Sequence, residues 1–429
     1  MKRAGLHAGC CPIHDPCPRH VAPALAARQA ERALGVDGIA PDAIAETLDV
    51  RGLSRRGFAG LAGASAAFIA GAANASTASA KPHAPASATP VFDPKAIGRV
   101  HVLPSTPQTV RVGLMDPAAP VVLEIESGDV VHYPNTWVNW ANEAKFGMSF
   151  AEREPIRKKY AAQGPYSLIG PVAVKGAEAG DVIECRMLRL KPIEWGWNSA
   201  PHGVGALPTD FSEPYLHYLK FDAARRYTDF APGVRIPLKP LQGVMAVQPA
   251  GDTPVSAILT GAYGGNIVLS ELVEGTSLFL PVQVAGGRLW TGDSHAAQGD
   301  GVVDQTAIET AMEDLRIQYV LHKRATIAGP IAETPTHWIV LGFGETLEDA
   351  LTASLRQTIA WMSQATGLAK VDVYALLSIV GSFRVTQYAH QTGSNYAAIP
   401  AKTVHGMLPK AVFDPARLRQ ISRSIRPGG

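Results

Sequence analysis

A glycine-rich stretch, residues 291–301, concentrates more reactive side chains than any other part of this 429-residue chain. It carries the carboxylates of Asp293 and Asp300, the imidazole of His295 and the carboxamide of Gln298, together with three glycines. On an extended chain, residues two apart point to the same side, so Asp293 and His295 are expected to face one point. The stretch therefore predicts a site at which a carboxylate and an imidazole meet.

Two kinds of chemistry suit this set of side chains. Carboxylates and an imidazole can move protons, and they can also hold a divalent cation. We predict Asp293, His295 and Asp300 as the catalytic group, with Asp293 and His295 as metal ligands. Zinc is the first choice of metal, and calcium follows if oxygen ligands dominate. An alternative is compatible with the same spacing: the two aspartates form turns and His295 is a hydrogen-bonded core residue.

The elements that must position this stretch are predicted to be β-strands. Apolar runs at 277–284 and 288–290 lead into the glycine-rich turn. Somewhat high contents of Gly (41) and Pro (33), with short alternating runs between them, favour a turn-rich β protein. The clearest helix is expected at 346–368, where Thr346 can cap the start and Gly367 the end. Further predictions are helices at 150–160, 303–313, 371–377 and 415–425, and an aromatic loop at 194–203.

The overall composition excludes some classes of function. There are 39 basic and 37 acidic residues, and this balance gives no reason to expect a nucleic-acid partner.

Cys185 is the single cysteine beyond the first 17 residues, so the body of the protein has no internal disulfide to rely on. Upstream, a cysteine and histidine cluster has a spacing that could hold zinc, although a feature of a leader is the favoured interpretation: His7, Cys10, Cys11, His14, Cys17 and His20.

The N-terminal region has the features of a bacterial export signal. Arg55 and Arg56 precede a weakly apolar stretch at 59–73, and two small-x-small cleavage patterns follow. We predict a twin-arginine leader over 1–80, a flexible linker over 81–94, and a periplasmic or secreted protein. The apolar stretch is too short for a stable membrane span, so none is expected after cleavage. The alternative is an alanine-rich helix that happens to follow two arginines.

Several segments, in order along the chain, resemble the acetamidase/formamidase family. They are the run 170–181, Gly264-Gly265-Asn266, the run 274–282, the run 292–301, and the helix after Thr346 up to 408–410. Each motif alone is weakly specific, but the ordered set is specific. The resemblance covers residues 95–414, and a C-terminal helix or tail follows at 415–429.

The resemblance implies a fold and an activity. The fold would be mainly β with some α (α+β), with a β-sandwich or jelly-roll-like body and a smaller α/β portion. The activity would be hydrolysis of carbon–nitrogen bonds in small linear amides, by a homo-oligomer with a divalent cation near residues 291–301. Gln298, Asn266 and Tyr263 are the predicted substrate-binding residues. Gln298 could instead brace the loop, and Asn266 could occupy a turn position with positive φ.

This chain also departs from the family pattern at three positions. The family often has a histidine before Gly-Gly-Asn and an aspartate two residues after it, where this chain has Tyr263 and Val268. The acidic residue that follows Gly-Asp-Gly in the family is Val302 here. An alternative function is therefore a non-catalytic small-molecule-binding protein on the same fold. A third is an enzyme for larger or aromatic amides, because Tyr263 and the tryptophan-rich segment 194–203 change the character of the pocket.

Overall fold

The computed structural model of the protein describes residues 90–201, 203–388 and 398–427. The predicted export leader, most of the predicted linker and the N-terminal cysteine and histidine cluster lie outside the described residues. The domain boundaries at residues 95 and 414 stay predictions. Within the described residues, no helix has the length and apolar character needed to cross a membrane.

The described chain is dominated by short strands, numbered here in chain order. They are β1 (Val100–Val102), β2 (Val110–Val112), β3 (Leu114–Met115), β4 (Leu123–Ile125), β5 (Val130–Tyr133), β6 (Ser167–Val174), β7 (Val182–Pro192), β8 (Trp195–Ala200), β9 (Tyr215–Lys220), β10 (Tyr227–Ala231), β11 (Val234–Pro237), β12 (Leu241–Ala246), β13 (Val255–Ser256), β14 (Thr260–Gly261), β15 (Gly264–Asn266), β16 (Ser277–Pro281), β17 (Leu289–His295), β18 (Glu309–Thr310), β19 (Met312–His322), β20 (Ile331–Glu333), β21 (His337–Gly344), β22 (Ser382–Gln387) and β23 (Lys402–Pro409).

Most of these strands form two large sheets. The nine-stranded sheet has the order β1-β5-β19-β7-β16-β20-β21-β23-β22. The ten-stranded sheet has the order β14-β15-β12-β17-β18-β8-β9, and β6 joins it by pairing with β17, β2 and β4. Two small sheets, β10-β11 and β13-β3, complete the strand pairing of the described residues. This arrangement confirms the mainly β fold expected from the sequence.

The largest hydrophobic core lies between the two large sheets, because both contribute buried side chains to it. Leu278 and Leu280 of β16 meet Met245 of β12 and Leu289 of β17 in this core. Successive side chains of a strand point to opposite faces. Phe279, between the two leucines, accordingly belongs to a different core on the other face of the sheet. The body of the protein is thus a β-sandwich.

The helices follow the local rules of their sequences. They are α1 (Phe150–Lys159), α2 (Leu347–Thr366), α3 (Lys370–Val380) and α4 (Pro415–Ile425), and a 3₁₀ turn lies at Lys410–Val412. The side chain of Thr346 accepts a hydrogen bond from the backbone N–H of Asp349, and Gly367 ends α2 with φ of 72°. Glycine adopts this left-handed conformation without a Cβ penalty. These caps confirm the predicted start and end of α2.

The last three helices cover the outer face of the nine-stranded sheet. Trp361 of α2, Leu377 of α3 and Ile421 of α4 pack in one core with Phe279 and Trp338 of the sheet. These helices bury the outer face of the nine-stranded sheet. The candidate site described below lies on the ten-stranded sheet.

Two local predictions are wrong. The segment 303–313 is not a helix but contains β18 and the first residues of β19. The β-branched Thr306 and Ile308 favour extended backbone there, and pairing with β17 stabilises it. The segment 194–203 is not simply a loop, since β8 occupies Trp195–Ala200 and pairs with β9 and β18.

Candidate active site

Three ionisable side chains from two neighbouring strands meet in the ten-stranded sheet. Asp293 and His295 lie on β17 and Glu309 lies on β18, directly opposite His295 in the register of the two strands. His295 Nε2 is 3.2 Å from Asp293 Oδ2 and 3.4 Å from Glu309 Oε1. All three residues are buried. The expectation that Asp293 and His295 face one point is thus met, and we call the three residues the His295 cluster.

A hydrogen bond at the other ring nitrogen, Nδ1, fixes the orientation of the His295 imidazole. His295 Nδ1 is 2.8 Å from Gln298 Oε1, and Gln298 Nε2 donates to the carbonyl oxygen of Val268. Because the carboxamide oxygen faces the ring, Nδ1 carries a proton and Nε2 is directed at Asp293 and Glu309. Both polar atoms of Gln298 are therefore used within the protein. The structure places Gln298 as the bracing amide that the sequence left as an alternative.

A second amide holds the two carboxylates. Asn139 Nδ2 donates to Glu309 Oε2 at 3.0 Å and lies 3.4 Å from Asp293 Oδ1. The backbone N–H of Ala307 donates to Glu309 Oε1 at 3.1 Å. Asn139 lies more than 150 residues before its partners in the chain, and no sequence motif marks it.

The charged groups of the His295 cluster shift one another's pKa values. Burial raises the pKa of Asp293 to about 6, although the charge of His295 opposes this shift. Burial by itself lowers the pKa of His295, but Asp293 and Glu309 outweigh it and hold this pKa well above its usual value. Burial likewise raises the pKa of Glu309, and the charge of His295 more than offsets it, leaving that pKa lowered. An imidazolium between two carboxylates leaves one negative charge uncompensated in a buried position.

The donor atoms of the His295 cluster are of the kinds that could hold a divalent cation. His295 Nε2 is buried and has no hydrogen bond of acceptable geometry, despite its two carboxylate neighbours. One ligand atom from each of the three residues lies within 4.8 Å of the other two. One imidazole nitrogen and two carboxylates form a ligand set that zinc accepts, and a doubly charged cation would balance both carboxylates. Glu309 thus joins Asp293 and His295, the two predicted ligands, as a third residue that could hold a metal.

Gly243 on β12 leaves the space that this cluster occupies. A Cβ atom added at Gly243 would collide with Asp293 Oδ2 and approach His295 Cε1 to 2.9 Å. Asp293 has φ of 56°, a left-handed conformation that is uncommon for a residue with a side chain and is often found at functional sites. The backbone of both strands is therefore arranged around the side chains of the cluster.

We expect Gly243→Ala to displace Asp293 and His295 and to weaken any metal binding and any turnover by about 10²-fold, the usual effect of a misplacement near 1 Å. Titration with a competing chelator and initial rates would measure both. Gly299→Ala is the matched control, because a Cβ there has no heavy atom within 4 Å. Equal effects of the two substitutions would contradict the role given to Gly243.

Glu309 was missed by sequence reasoning because it lies in the segment predicted to be a helix. The alternation of Ile308, Glu309 and Thr310, with β-branched residues on both sides, is typical of a strand. Had the segment been assigned as a strand, its pairing with β17 would still have been needed to place Glu309 opposite His295.

Asp300 does not join the His295 cluster, which corrects the predicted three-residue group. Its carboxylate lies with Glu271 and His405 in a second cluster. The reason is the path of the chain: Gly301 forms a bridge with Gln387 at the end of β22. That bridge draws residue 300 toward the nine-stranded sheet.

The second cluster already contains its own positive charge. Arg384 Nη1 is 3.3 Å from Glu271 Oε1 and 3.5 Å from Asp300 Oδ2. Ser270 Oγ donates to Asp300 Oδ1 at 2.6 Å. Arg384 offsets one of the two carboxylate charges, and Asp300 is exposed to solvent, so this cluster needs a cation less than the buried His295 cluster does.

The other two predicted substrate-binding residues are not members of the His295 cluster. Tyr263 lines a separate groove beside Phe343, and burial raises its pKa to about 12. Asn266 Nδ2 donates to Tyr166 Oη at 3.2 Å. Asn266 does not have a positive φ, so that interpretation of it is wrong; Gly264 and Gly265 take the left-handed conformations in this turn.

A partly enclosed cavity opens beside the His295 cluster. Its volume is about 100 Å³, somewhat smaller than an engineered cavity of about 150 Å³ that takes up benzene. Glu309 and Asn139 reach it from the cluster, and most of the other lining side chains are aromatic, aliphatic or basic. They include Trp140, Phe150, Arg153, Tyr166, Trp197 and Ile258. The cavity offers a small molecule with apolar parts direct access to Glu309.

Known proteins share sequence similarity with this chain. The model of the Acetamidase/Formamidase family matches residues 115–260 and 255–415. The formamidase of Methylophilus methylotrophus is 25% identical over 189 residues, which cover 32% of this chain and 46% of that protein. The chain spans about half the length of the curated relatives it matches.

Solved structures match over more of the chain. An acetamidase from Bacillus halodurans shares 26% identity and a TM-score of 0.64, covering 73% of this chain and 98% of that one. An acetamidase from Yersinia enterocolitica shares 25% identity and a TM-score of 0.65, covering 76% of this chain and 96% of that one. The described β-sandwich with its helices is therefore similar to these folds over nearly their whole length.

Proposed function

This chain belongs to the acetamidase/formamidase family, and from that premise we propose that it is an exported amidohydrolase. It would hydrolyse the carbon–nitrogen bond of small linear amides to a carboxylate and ammonia. The observation that carries the proposal is the meeting of His295 with Asp293 and Glu309 beside a cavity of small-molecule size.

The reaction needs three contributions from the site. The oxygen of a water molecule forms a bond to the carbonyl carbon, the carbon–nitrogen bond breaks, and the nitrogen leaves after it has taken up a proton. A divalent cation held by Asp293, His295 and Glu309 would supply a Lewis acid for the carbonyl oxygen. The residues themselves must orient the donors, exclude bulk water and move the proton.

The described contacts support these roles. Gln298 and Asn139 hold the imidazole and the carboxylates in one orientation. In the metal-free cluster burial raises the pKa of Asp293 to about 6, so a proton can be exchanged there close to neutral pH. The aromatic wall formed by Trp140 and Trp197 keeps bulk water from the reacting carbonyl.

The experiment is ammonia release from formamide, acetamide and propionamide by the purified mature chain, measured after chelation and after zinc is restored. Turnover that depends on the metal supports the proposal. Folded, zinc-loaded protein that releases no ammonia from any of these amides would refute it.

Export is proposed from Arg55 and Arg56, the weakly apolar stretch and the two cleavage patterns that follow. The protein should then accumulate in the periplasm or the medium of the producing cells, and the double substitution Arg55→Lys and Arg56→Lys should keep it in the cytoplasm.

We also propose, from the family, that the protein is a homo-oligomer. Light scattering of the mature chain would measure its mass.

A second candidate function is supported by two apolar residues, one of which, Val268, accepts the hydrogen bond of Gln298. Val268 and Val302 replace acidic residues of the family pattern, and both have positive φ, 37° and 44°, which is unusual for a β-branched residue. If these replacements remove essential groups, the chain is a non-catalytic protein that binds small molecules on the same fold. Amide binding without turnover and without bound metal would favour this function.

Zinc affinity should increase with pH, because the metal must displace protons from the cluster. His295 keeps its proton at neutral pH, since its pKa is raised by Asp293 and Glu309. Each pH unit should then raise the association constant about tenfold, and more steeply below about pH 6, where Asp293 is protonated too. Chelator competition between about pH 5 and pH 8 measures the slope, and a flat profile would contradict this assignment of ligands.

A further inference from the structure

Arg153 of α1 is a buried charged residue that the amidase chemistry does not use. It is 2% exposed, and it lines the same cavity as Glu309. Its guanidinium carbon lies 4.5 Å from the ring centre of Trp197 and 5.0 Å from that of Tyr218. Arginine remains protonated in proteins, so this side chain brings a full positive charge to the cavity wall.

The hydrogen-bond donors of Arg153 are incompletely used. Nε and Nη2 are buried and have no hydrogen-bond partner. The guanidinium carbon lies over the rings of Trp197 and Tyr218, and a ring face offers no oxygen or nitrogen acceptor to Nε or Nη2. These two donors are unsatisfied, and unsatisfied buried donors of a charged group are costly.

The charge of Arg153 also has no direct ion pair among the described residues. In the part of the chain that the structure describes, Arg153 forms no salt bridge, although the charge of Glu309 acts on it. Of the other charged groups on the cavity, Arg157 Nη1 lies 3.8 Å from Glu154 Oε2, and Glu309 faces His295 at 3.4 Å. A buried cation without a direct ion pair is unfavourable, and a carboxylate of a bound ligand would supply that pair at Arg153.

We infer that the substrate is a short amide whose far end carries a carboxylate, which Arg153 binds while the amide lies at the His295 cluster. The planar fork of a guanidinium matches the two oxygens of a carboxylate. Glu309 and Arg153 line one small cavity, and the apolar wall between them suits a short methylene spacer. This inference deepens the proposed function and rests on it for the chemistry at the amide end.

The kinetic test compares succinamate with succinamide, which has the same length but a neutral far end. We expect wild-type protein to prefer succinamate in initial kcat/KM, and Arg153→Met to reduce that preference about 10- to 100-fold, mainly through the KM of succinamate. Arg153→Lys, which keeps the charge but loses the fork, should restore part of it. Arg235→Met, at an exposed position paired with Asp229, is the control.

Two outcomes would overturn the inference. One is a wild-type protein that hydrolyses succinamide as well as succinamate. The other is an equal loss on both amides in Arg153→Met, which would mean that Arg153 stabilises the carbonyl oxygen or only the fold. The first outcome needs no variant, so failure of a variant to fold leaves the test intact.

Binding separates this inference from the proposed function. Isothermal titration calorimetry with succinate requires no turnover, and we expect binding to wild-type protein to weaken about 10- to 100-fold in Arg153→Met. Succinate binding that depends on Arg153, in protein that hydrolyses no amide, would refute the amidase and keep the carboxylate site. Amide hydrolysis without any succinate binding would do the reverse.

Discussion

Replacing His295 by alanine should abolish tight zinc binding and lower amide turnover by about 10²- to 10⁴-fold. His295 supplies the nitrogen donor of the cluster, and its Nε2 lies between Asp293 and Glu309. Without it, the two carboxylates have neither the imidazolium nor a complete ligand set for the metal. Metal content after dialysis and initial rates of ammonia release measure the two effects.

The controls separate loss of the site from loss of the fold. Glu309→Gln keeps the shape of the side chain and removes one negative charge, so it should weaken metal binding with less cost to stability than His295→Ala. His132→Ala alters a histidine of β5 that pairs with Asp314 at 3.1 Å, outside the site. Full metal content and full turnover in His295→Ala would rule out the assigned centre.

Replacing Glu184 by alanine should lower the free energy of unfolding by about 3–5 kcal/mol, because it leaves buried charges unpaired. Glu184 lies in β7, is fully buried and accepts a 2.6 Å hydrogen bond from Arg426 Nη2. It also lies 2.9 Å from His322 Nε2 and 3.0 Å from Arg186 Nη2. Chemical denaturation of the mature chain measures the loss.

A surface pair provides the comparison. Lys175 Nζ is 2.7 Å from Glu126 Oε1, but both side chains are more than half exposed. Exposed pairs contribute about 0–1 kcal/mol, so Lys175→Ala should change stability little. If the two variants lose similar stability, the buried network around Glu184 does not stabilise the fold as described.

The effect of Glu184 should depend on pH. Burial raises the pKa of Glu184, but His322 and Arg426 outweigh it and hold this pKa well below its usual value. A depressed folded-state pKa gives stability that is present above the unfolded value of about 4.3 and is lost as pH falls through the folded value. The stability difference between wild type and Glu184→Ala should therefore shrink in acid.

Much of the fold was predictable because local rules determine it. The family resemblance and the mainly β fold are confirmed. The terminal helix Pro415–Ile425 was predicted to the residue, since Asp414 caps it and Pro415 opens it. Asp293 and His295 were paired correctly because the two-residue period of a strand places them on one side.

The missing parts of the site depend on long-range packing. Glu309 reaches His295 through strand pairing, and Asn139 reaches Glu309 from 170 residues away. Asp300 was misplaced because the direction of the chain after Gly299 is decided by contact with β22. Arg153 is one of several charged residues in α1, and its sequence neighbours do not reveal that it alone is buried there.

Because Glu309 lies across from His295 on a neighbouring strand, the His295 cluster forms only when β17 and β18 pair in the correct register. Side chains alternate between faces, so a shift of β18 by one residue relative to β17 would turn Glu309 to the opposite face of the sheet. Such a molecule would retain its secondary structure and much of its compactness but could not bring the three residues of the His295 cluster together. Uptake of the proposed zinc ion would therefore distinguish correctly assembled molecules from slipped ones that circular dichroism counts as native.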